Sequence, residues 1–351
     1  HFLSFARYSI LLFVYCSAFY LNLIKVVCHF YHKDFERCKI MDKLVSIVLP
    51  VYNGERFLAQ SIESVLNQTY SNIEYIIIDG SSTDGTVDII KKYSDKLAYW
   101  VSEPDNGLYC ALNKGIRQAH GTLIGIVNAD DYYERDTVQN VVSAFHNQPD
   151  VGVFHGNIRI YANDGHMVLC KGEKETSRLR TSFPMYHPTF FVNRTIYGTI
   201  GLYEERYRIS SDYDFALRCY LAGVKFGYID KILSNMRFGG ISSVQTDLAR
   251  EESRNSRIRN GLSEDEIERG FFCSLSSNAF LDIRYNTIGE AAWKNKYHTL
   301  KGISMKRVCT NLNTGQYIFI WIALYVNFSF SLRLMKAKVF LMGKMPLSKK
   351  L

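Results

Sequence analysis

The chain has 351 residues, of which 47% are hydrophobic and 22% are charged, and this composition excludes a wholly disordered protein. The net charge of +8 lies at the chain ends, since residues 301–351 hold nine Lys or Arg and no acid, while residues 1–40 hold five bases and two acids. Because this excess adjoins apolar runs, it favours a membrane surface as partner over nucleic acid.

Residues 1–40 contain an uncharged, mostly apolar run of seventeen residues from Tyr8 to Ile24. This length is at the short limit for a membrane-spanning helix, and the run lacks the small-residue cleavage site of a signal peptide. Met41 stands just before the first clear strand. Two interpretations stay open: an extension that is not part of the native protein, or an N-terminal anchor.

From residue 44 onward, short apolar runs alternate with segments of helical periodicity. The predicted strands cover residues 44–53, 73–79, 97–103 and 122–131. Helices are predicted between them from apolar residues at helical spacing, namely Phe57, Leu58, Ile62, Val65 and Leu66, then Val87, Ile90 and Tyr93, then Leu108, Ala111, Leu112, Gly115, Ile116 and Ala119. Apolar strands that alternate with helices predict a parallel sheet covered on both faces.

Polar side chains follow all four predicted strands at their carboxyl ends, where open parallel sheets bind ligands. They are Tyr52 and Asn53, Asp79, Glu103 and Asp105, and Asp130 and Asp131. Parallel strands bring these ends to one edge of the sheet, so we expect a polar ligand site there. Asp84 in the segment SSTDGT is interpreted either as a helix cap or as a ligand contact.

Asp130 and Asp131 are adjacent carboxylates at the end of a strand whose pattern indicates burial. Each raises the free energy of ionising the other, and both lose hydration if the strand end is recessed. Either the pair lies in open solvent, or a bound group compensates it.

The pattern changes after residue 155. Two extended runs flank Asn163-Asp164-Gly165 and predict a hairpin, and an irregular loop follows over residues 183–191. Acids head an amphipathic helix over residues 209–223, and residues 245–270 are charged and helical in character. We expect mixed structure packed on the edge of the sheet.

Three segments of the chain resemble family 2 glycosyltransferases, which have the GT-A fold. They read VSIVLPVYNGERFLAQSIESVLNQTYSNIEYIIIDGSSTDGTVDII, SEPDNGLYCALNKGIRQAHGTLIGIVNADD and ISSDYDF, and the resemblance spans about residues 45 to 240. It implies an α/β fold with a mostly parallel nucleotide-binding sheet. It also implies inverting transfer of a sugar from a nucleotide sugar, usually UDP-linked, with Mg²⁺ or Mn²⁺.

The resemblance implies roles for residues at the strand ends. Asp131 matches the carboxylate that reaches the metal, and Asp130 matches the position that holds the ribose or a water of the metal. A divalent cation would compensate this acidic pair. Asp79 matches the acid that accepts a hydrogen bond from the uracil N–H, while Pro50 and Tyr52 match the wall beside the base.

Asp212 matches the family's acid just ahead of a helix, and one carboxylate is sufficient to take the acceptor hydroxyl proton in an inverting reaction. Ser211 stands where the family often has Glu, and Cys110 stands where many relatives have Asp. Asn113 matches a position near the nucleotide sugar. His187 matches a position near the acceptor, and its alternative is a structural role.

Arg237, in the segment MRFGGISS, is interpreted either as a diphosphate contact or as part of a tight turn. The resemblance also divides the chain into the extension over residues 1–40, a catalytic domain over residues 41–240, and a helical, basic and apolar region over residues 241–351.

The predicted partners are a nucleotide sugar, a glycan or polyprenyl-linked acceptor, and a membrane surface, for an enzyme of surface polysaccharide or glycolipid synthesis. Scattered cysteines without zinc spacing fit a cytoplasmic protein, here peripheral on the inner face of the plasma membrane. A nucleotidyltransferase is one alternative, although a Gly-rich basic loop after the first strand is lacking. The other is a non-catalytic sugar-binding protein of the same fold.

Sixteen uncharged residues, 317–332, precede Arg333 and five further lysines. A short apolar segment beside a basic one predicts a helix that lies in the interface of an anionic leaflet. A helix that closes the core and a helix that spans the membrane are the alternatives. On the interfacial interpretation, a fragment of residues 41–315 is expected to stay folded.

Overall fold

The computed structural model describes residues 43–161, 167–237, 239, 245–285, 288–303 and 312–343. The extension over residues 1–40 and the turn at Asn163-Asp164-Gly165 lie outside the described residues.

One sheet of nine strands organises this part of the chain. The strands are β1 (Val45–Val51), β2 (Ile73–Asp79), β3 (Tyr99–Ser102), β4 (Leu123–Ile126), β5 (Tyr132–Tyr133), β6 (Val153–Tyr161), β7 (Met167–Cys170), β8 (Phe191–Asn193) and β9 (Phe226–Arg237). Their order is β3-β2-β1-β4-β8-β6-β9-β5, and β7 pairs with β6.

The first four strands in this order are parallel, as the sequence predicts. The strands after residue 150 join the β4 edge of this parallel part and continue it as mixed structure, which agrees with the mixed structure expected at the edge of the sheet. β8 runs antiparallel to both β4 and β6, and β9 runs parallel to β6. The runs that flank the predicted hairpin form the antiparallel pair β6 and β7.

Helices cover both faces of the sheet and continue beyond it. They are α1 (Leu58–Leu66), α2 (Thr86–Lys92), α3 (Leu108–Gln118), α4 (Thr137–Asn147), α5 (Arg194–Ile200), α6 (Ser211–Leu221), α7 (Thr246–Arg259), α8 (Glu264–Tyr285), α9 (Glu290–Lys296), α10 (Thr314–Tyr325) and α11 (Phe328–Gly343). Short 3₁₀ turns lie at Ser94–Lys96, Ser177–Arg180, His187–Thr189 and His298–Leu300.

Alternate residues of β1 feed two separate cores. Ile47 and Leu49 pack with α1 and α4 on one face, and Val48 packs with α3 and α6 on the other. Gly115 lets α3 approach the sheet, since a Cβ there would lie 2.4 Å from a methyl carbon of Val48. The two-sided burial explains why β1 is apolar throughout.

The C-terminal helices have a hydrophobic core of their own, built around Trp293, Tyr297, Phe319 and Ile320. The predicted apolar segment 317–332 is broken, since α10 ends at Tyr325 and α11 begins at Phe328. Because one face of α10 completes this core, a fragment ending at residue 315 would lose core side chains. Whether such a fragment stays folded without these side chains stays a prediction.

Candidate active site

Asp79, at the end of β2, is fully buried and held by two serines. Ser102, its register partner on β3, donates its hydroxyl at 2.6 Å, and Ser82 donates both its backbone N–H and its hydroxyl. A carboxylate has about four lone-pair sites, so three bonds leave room for one further donor. The position and orientation of Asp79 are thus fixed by the protein itself.

The loop after β1 is tied to the loop after β2. Asn53, with a positive φ of 50°, accepts the N–H of Thr83 at 2.9 Å and donates its own N–H to Ser82 at 2.8 Å. Ser81 also has a positive φ, of 66°. Strained non-glycine residues cluster at functional sites, so these two loops are candidates for ligand contact.

Tyr52 lies in this loop and is 65% exposed, which leaves a ring face free to stack on a planar ligand. Pro50 is buried within β1, opposite Ile78 of β2. Pro50 lies beyond Val48, the last residue of β1 that pairs with β4. The N–H that proline lacks therefore costs the sheet fewer hydrogen bonds here than in the paired part of the strand. The structure therefore gives Tyr52 an exposed ring and Pro50 a place inside the sheet.

Asp84 serves the turn before α2. Its carboxylate accepts the N–H of Thr86 at 3.0 Å and the N–H of Glu55 at 3.2 Å. Of the two interpretations left open by the sequence, this geometry favours the cap. Asp105 similarly accepts the N–H of Gly107 at 2.8 Å, just before α3 begins.

Asp131 is 2% exposed and lies directly before β5, so the strand predicted over residues 122–131 ends earlier than expected, at Ile126, and a turn carries the acidic pair. Asn128 donates to its Oδ2 at 2.9 Å, and the backbone N–H of Arg237 reaches its Oδ1 at 3.3 Å. Burial, together with the neighbouring charge of Asp130, raises the pKa of Asp131 to about 7. The hydrogen bonds that Asp131 accepts therefore do not fully stabilise its ionised form.

Arg237, at the end of β9, lies against the same site. Its guanidinium donates to the backbone carbonyl of Asp130 and, at 2.6 Å, to Gln60. Its centre lies 4.2 Å above the ring of Phe57. This packing holds a cation next to the acidic pair, which favours the ligand-site interpretation of Arg237 over a simple turn.

The acidic pair fits a divalent cation on the chemistry of its donors. Hard oxygen ligands suit Mg²⁺ and Mn²⁺, and the raised pKa of Asp131 indicates a buried charge that a cation would compensate. Within the described residues, no group of three or more His, Cys, Asp or Glu side chains converges on one point.

Asp212 begins α6 and is partly exposed. Its Oδ1 accepts the N–H of Tyr213 at 2.7 Å, and the hydroxyl of Tyr109 lies 3.4 Å away. Burial raises the pKa of Asp212 to about 7, against the effect of these hydrogen bonds. A carboxyl with a pKa near neutrality is suited to general-base catalysis.

Asn113 and His187 are engaged by the protein. Asn113 donates to the carbonyl of Tyr203 and to Glu205 at 2.8 and 2.9 Å, and accepts the N–H of Tyr203 at 3.0 Å. The ring of His187 is buried, with Nε2 2.9 Å from the Tyr203 hydroxyl, and burial lowers its pKa to about 4. Both side chains are placed to support the site, and a direct ligand contact through either stays a prediction.

Sequence reasoning missed several of the supporting residues. Ser102 could have been found, because it ends the strand next to Asp79 in a parallel pair. Asn128 lies three residues before Asp131 and could have been suspected from that spacing. Tyr109 lies next to Asp212, and Glu252 binds the segment just before it, only through tertiary contacts for which the sequence carries no signal.

The comparisons with known proteins agree with this geometry. Residues 46–205 match the family model described as glycosyl transferase family 2. The match covers less than half of the chain, and it indicates a glycosyltransferase domain over these residues. The chain is thus a glycosyltransferase, and the alternatives of a nucleotidyltransferase and a non-catalytic sugar-binding protein are set aside.

Curated relatives cover more of the chain than the family model does. A PGL/p-HBAD biosynthesis glycosyltransferase of Mycobacterium tuberculosis is 29% identical over 210 residues, which is 58% of this chain and 81% of the relative. An uncharacterized glycosyltransferase of Rickettsia prowazekii is 28% identical over 262 residues, which is 71% of this chain and 77% of the relative.

Solved structures show the same fold. S. aureus TarS 1-349 in complex with UDP-GlcNAc aligns with a TM-score of 0.54 at 17% identity, over 85% of this chain and 92% of that one. A mannosyltransferase from Pyrobaculum calidifontis in complex with GDP-Man and Mn²⁺ aligns with a TM-score of 0.51 at 16% identity, over 86% and 88%. These likenesses show the α/β fold of the GT-A type, which confirms the predicted fold class.

Proposed function

We propose that this glycosyltransferase transfers a sugar from a UDP-linked donor, with inversion, to a hydroxyl of a glycan or lipid-linked acceptor in surface polysaccharide synthesis. The observation that carries the proposal is that two carboxyls are held in separate surroundings, Asp131 buried beside Asp130 and Arg237, and Asp212 in the first turn of α6 beside Tyr109. Two acids with different surroundings suit two tasks, diphosphate binding and proton abstraction.

The nucleoside would be held at the ends of β1 and β2. The exposed ring of Tyr52 can stack on the base, and the remaining lone pair of Asp79 can accept the uracil N–H. Ser82 and Ser102 keep that lone pair oriented without help from the ligand. This arrangement supports a uracil-containing donor.

The diphosphate would be held beside Asp130 and Asp131. Asp130 and Asp131 would hold a divalent cation, which would supply positive charge next to the diphosphate. The guanidinium of Arg237, already fixed on Phe57 and Gln60, adds a protein cation at the same place. Both features support a negatively charged leaving group there.

Asp212 would act as the base. Its carboxylate takes the proton of the acceptor hydroxyl while that oxygen forms a bond to the anomeric carbon. The bond from the anomeric carbon to the diphosphate oxygen breaks, and UDP leaves with that electron pair. A single displacement inverts the configuration, so one base is sufficient.

The C-terminal helices support attachment to a membrane surface. One face of α10 and α11 closes the local core, and the opposite face is exposed at Ile318, Trp321, Tyr325, Val326, Phe330 and Leu334. Tryptophan and tyrosine favour the membrane interface, and residues 301–351 contain bases but no acid. None of the helices among the described residues is long and apolar enough to cross a bilayer. From the exposed aromatic face and the excess of bases we propose a peripheral location on the inner face of the plasma membrane, next to a polyprenyl-linked acceptor.

A panel of nucleotide sugars tests the activity. The full chain is expected to release UDP from at least one UDP-sugar with Mn²⁺ or Mg²⁺, and to lose that release in excess EDTA. Release of pyrophosphate, or of UDP at an unchanged rate in EDTA, would contradict the proposal.

Vesicle sedimentation tests the location. Trp321→Ser combined with Tyr325→Ser is expected to reduce binding to vesicles that contain anionic lipid. The matched control is Tyr99→Ser on β3, a ring that is exposed to 38% in the catalytic part. Equal binding by the double variant and the parent would contradict the proposed membrane face.

A further inference from the structure

Glu252 on α7 is a buried carboxylate that lies outside the residues matched to the family. Its Oε1 accepts the N–H of Arg208 at 2.8 Å, and its Oε2 accepts the N–H groups of Ile209 and Ser210 at 2.9 Å each. Only 8% of the residue is exposed. One side chain thus holds three consecutive backbone donors.

The segment held in this way leads directly into α6, which carries Asp212. Its other side is fixed by α3, because the hydroxyl of Tyr109 donates to the carbonyl of Ile209. The same hydroxyl lies 3.4 Å from Oδ1 of Asp212. The approach to Asp212 is therefore clamped from two helices, with Glu252 on its N–H side and Tyr109 on its C=O side.

Further contacts dock α7 along the start of α6. Ser210 donates its hydroxyl to the carbonyl of Ala249 at 2.9 Å, and Ser253 donates to the Ser210 hydroxyl at 3.2 Å. One turn later, Ser256 donates to Asp214 at 2.7 Å. These bonds make α7 the element that fixes where α6 begins.

We infer that Glu252 is a positioning residue for the transfer reaction, which holds the start of α6 so that the Asp212 carboxylate meets the acceptor hydroxyl. The inference rests on the proposed role of Asp212 as base. It assigns to the region after residue 240 a part in catalysis that the family match does not cover.

Glu252 also affects the ionisation of Asp212. Burial is the main cause that raises the pKa of Asp212, and the negative charge of Glu252 adds to it. The other titratable groups that face Asp212 are the phenols of Tyr109 and Tyr203, whose own pKa values are raised by burial. Loss of the Glu252 charge should therefore shift the Asp212 ionisation to lower pH.

The test compares Glu252→Gln with Glu251→Gln in the full chain, using the UDP-sugar that gives the fastest UDP release. Glu251 is the exposed neighbour on α7, so its variant makes the same charge change without the three N–H contacts. For Glu252→Gln we expect kcat to fall roughly 10- to 100-fold, the range that small misplacements cause, with KM for the donor within about twofold. The midpoint of the acidic limb of kcat should move to lower pH, while Glu251→Gln behaves as the parent.

Parent-like kcat and pH profile in Glu252→Gln would overturn the inference. Asp212→Asn, measured in parallel, separates the two proposals, because full turnover in that variant would contradict the base itself. If Glu252→Gln fails to fold, the Glu252→Asp variant tests the inference in its place. It keeps the charge on a shorter side chain, so we expect the parental pH midpoint with a lower kcat, and an unchanged kcat would overturn the inference.

Discussion

Two carboxyls of this protein, Asp131 and Asp212, have pKa values raised to about 7, and the surroundings of each explain the shift. Asp131 is buried beside a second acid, whereas Asp212 is raised mainly by burial and stands next to a tyrosine hydroxyl. The sequence predicted that Asp130 and Asp131 disfavour each other's ionisation, but it carried no signal for the burial that raises the pKa of Asp212.

The pH dependence of turnover follows from Asp212. The base must be ionised to take a proton, so kcat is expected to fall as pH drops below about 7, approaching tenfold per unit. Initial rates of UDP release between pH 5.5 and 8.5 measure this limb. A rate that stays constant down to pH 5.5 would rule out a base with this pKa.

Replacement of Asp212 by Asn should remove a pH-dependent loss of stability. Because the folded pKa lies above the unfolded value of 3.8, the carboxyl favours folding at low pH, and that contribution is lost as pH rises through about 7. The Tm of Asp212→Asn relative to the parent should therefore be higher at pH 8 than at pH 5. An identical Tm difference at both pH values would contradict the raised pKa.

The metal prediction belongs to Asp131. In the parent, Mn²⁺ with UDP should raise Tm, since a ligand that binds only the folded protein stabilises it. Asp131→Asn should lose most of this rise and abolish transfer. The control is Asp136→Asn, an exposed acid near the same loop. A full Mn²⁺-dependent rise in Asp131→Asn would show that the cation binds elsewhere.

At the scale of elements, the apolar pattern predicted β2 over Ile73–Asp79 and placed β1 and β3 within a few residues of their ends, but it extended β4 beyond Ile126 to include the acidic pair. Periodicity succeeds for β1, β2 and β4 because both faces of these strands are largely buried, whereas β3 is a partly exposed edge strand. It failed to place Arg237 beside Asp130, because that contact depends on how β9 pairs with β6 and β5.

The helix α10 has two roles that the sequence presented as alternatives. Phe319, Ile320, Ala323 and Leu324 are buried in the C-terminal core, and Trp321 and Tyr325 are exposed. We expect Ile320→Ala to destabilise the protein by about 2–5 kcal/mol, as for other buried large-to-small changes. Ile318→Ala, an exposed residue on the same helix, is the matched control. Thermal unfolding measures both, and equal Tm values would contradict the core role of α10.

At the scale of the whole molecule, the order of the motifs predicted the α/β fold. The strands, helices and acids follow one another along the chain in the order and at the spacing that are typical of the GT-A fold. The single continuous sheet and the contribution of α7 to the Asp212 loop were not predictable. Both arise from contacts between residues far apart in sequence, such as Glu252 with Arg208. The catalytic unit that we propose therefore extends beyond residue 240.

The most direct test of this account measures turnover and UDP affinity together for the full chain and for Asp131→Asn and Asp212→Asn. We expect the parent to bind UDP with Mn²⁺ and to release it from a UDP-sugar. Asp131→Asn should lose both properties, whereas Asp212→Asn should lose turnover by on the order of 10²–10⁴ and keep its UDP affinity. Turnover by Asp212→Asn at the parental rate, or loss of UDP affinity as severe as its loss of turnover, would contradict the account.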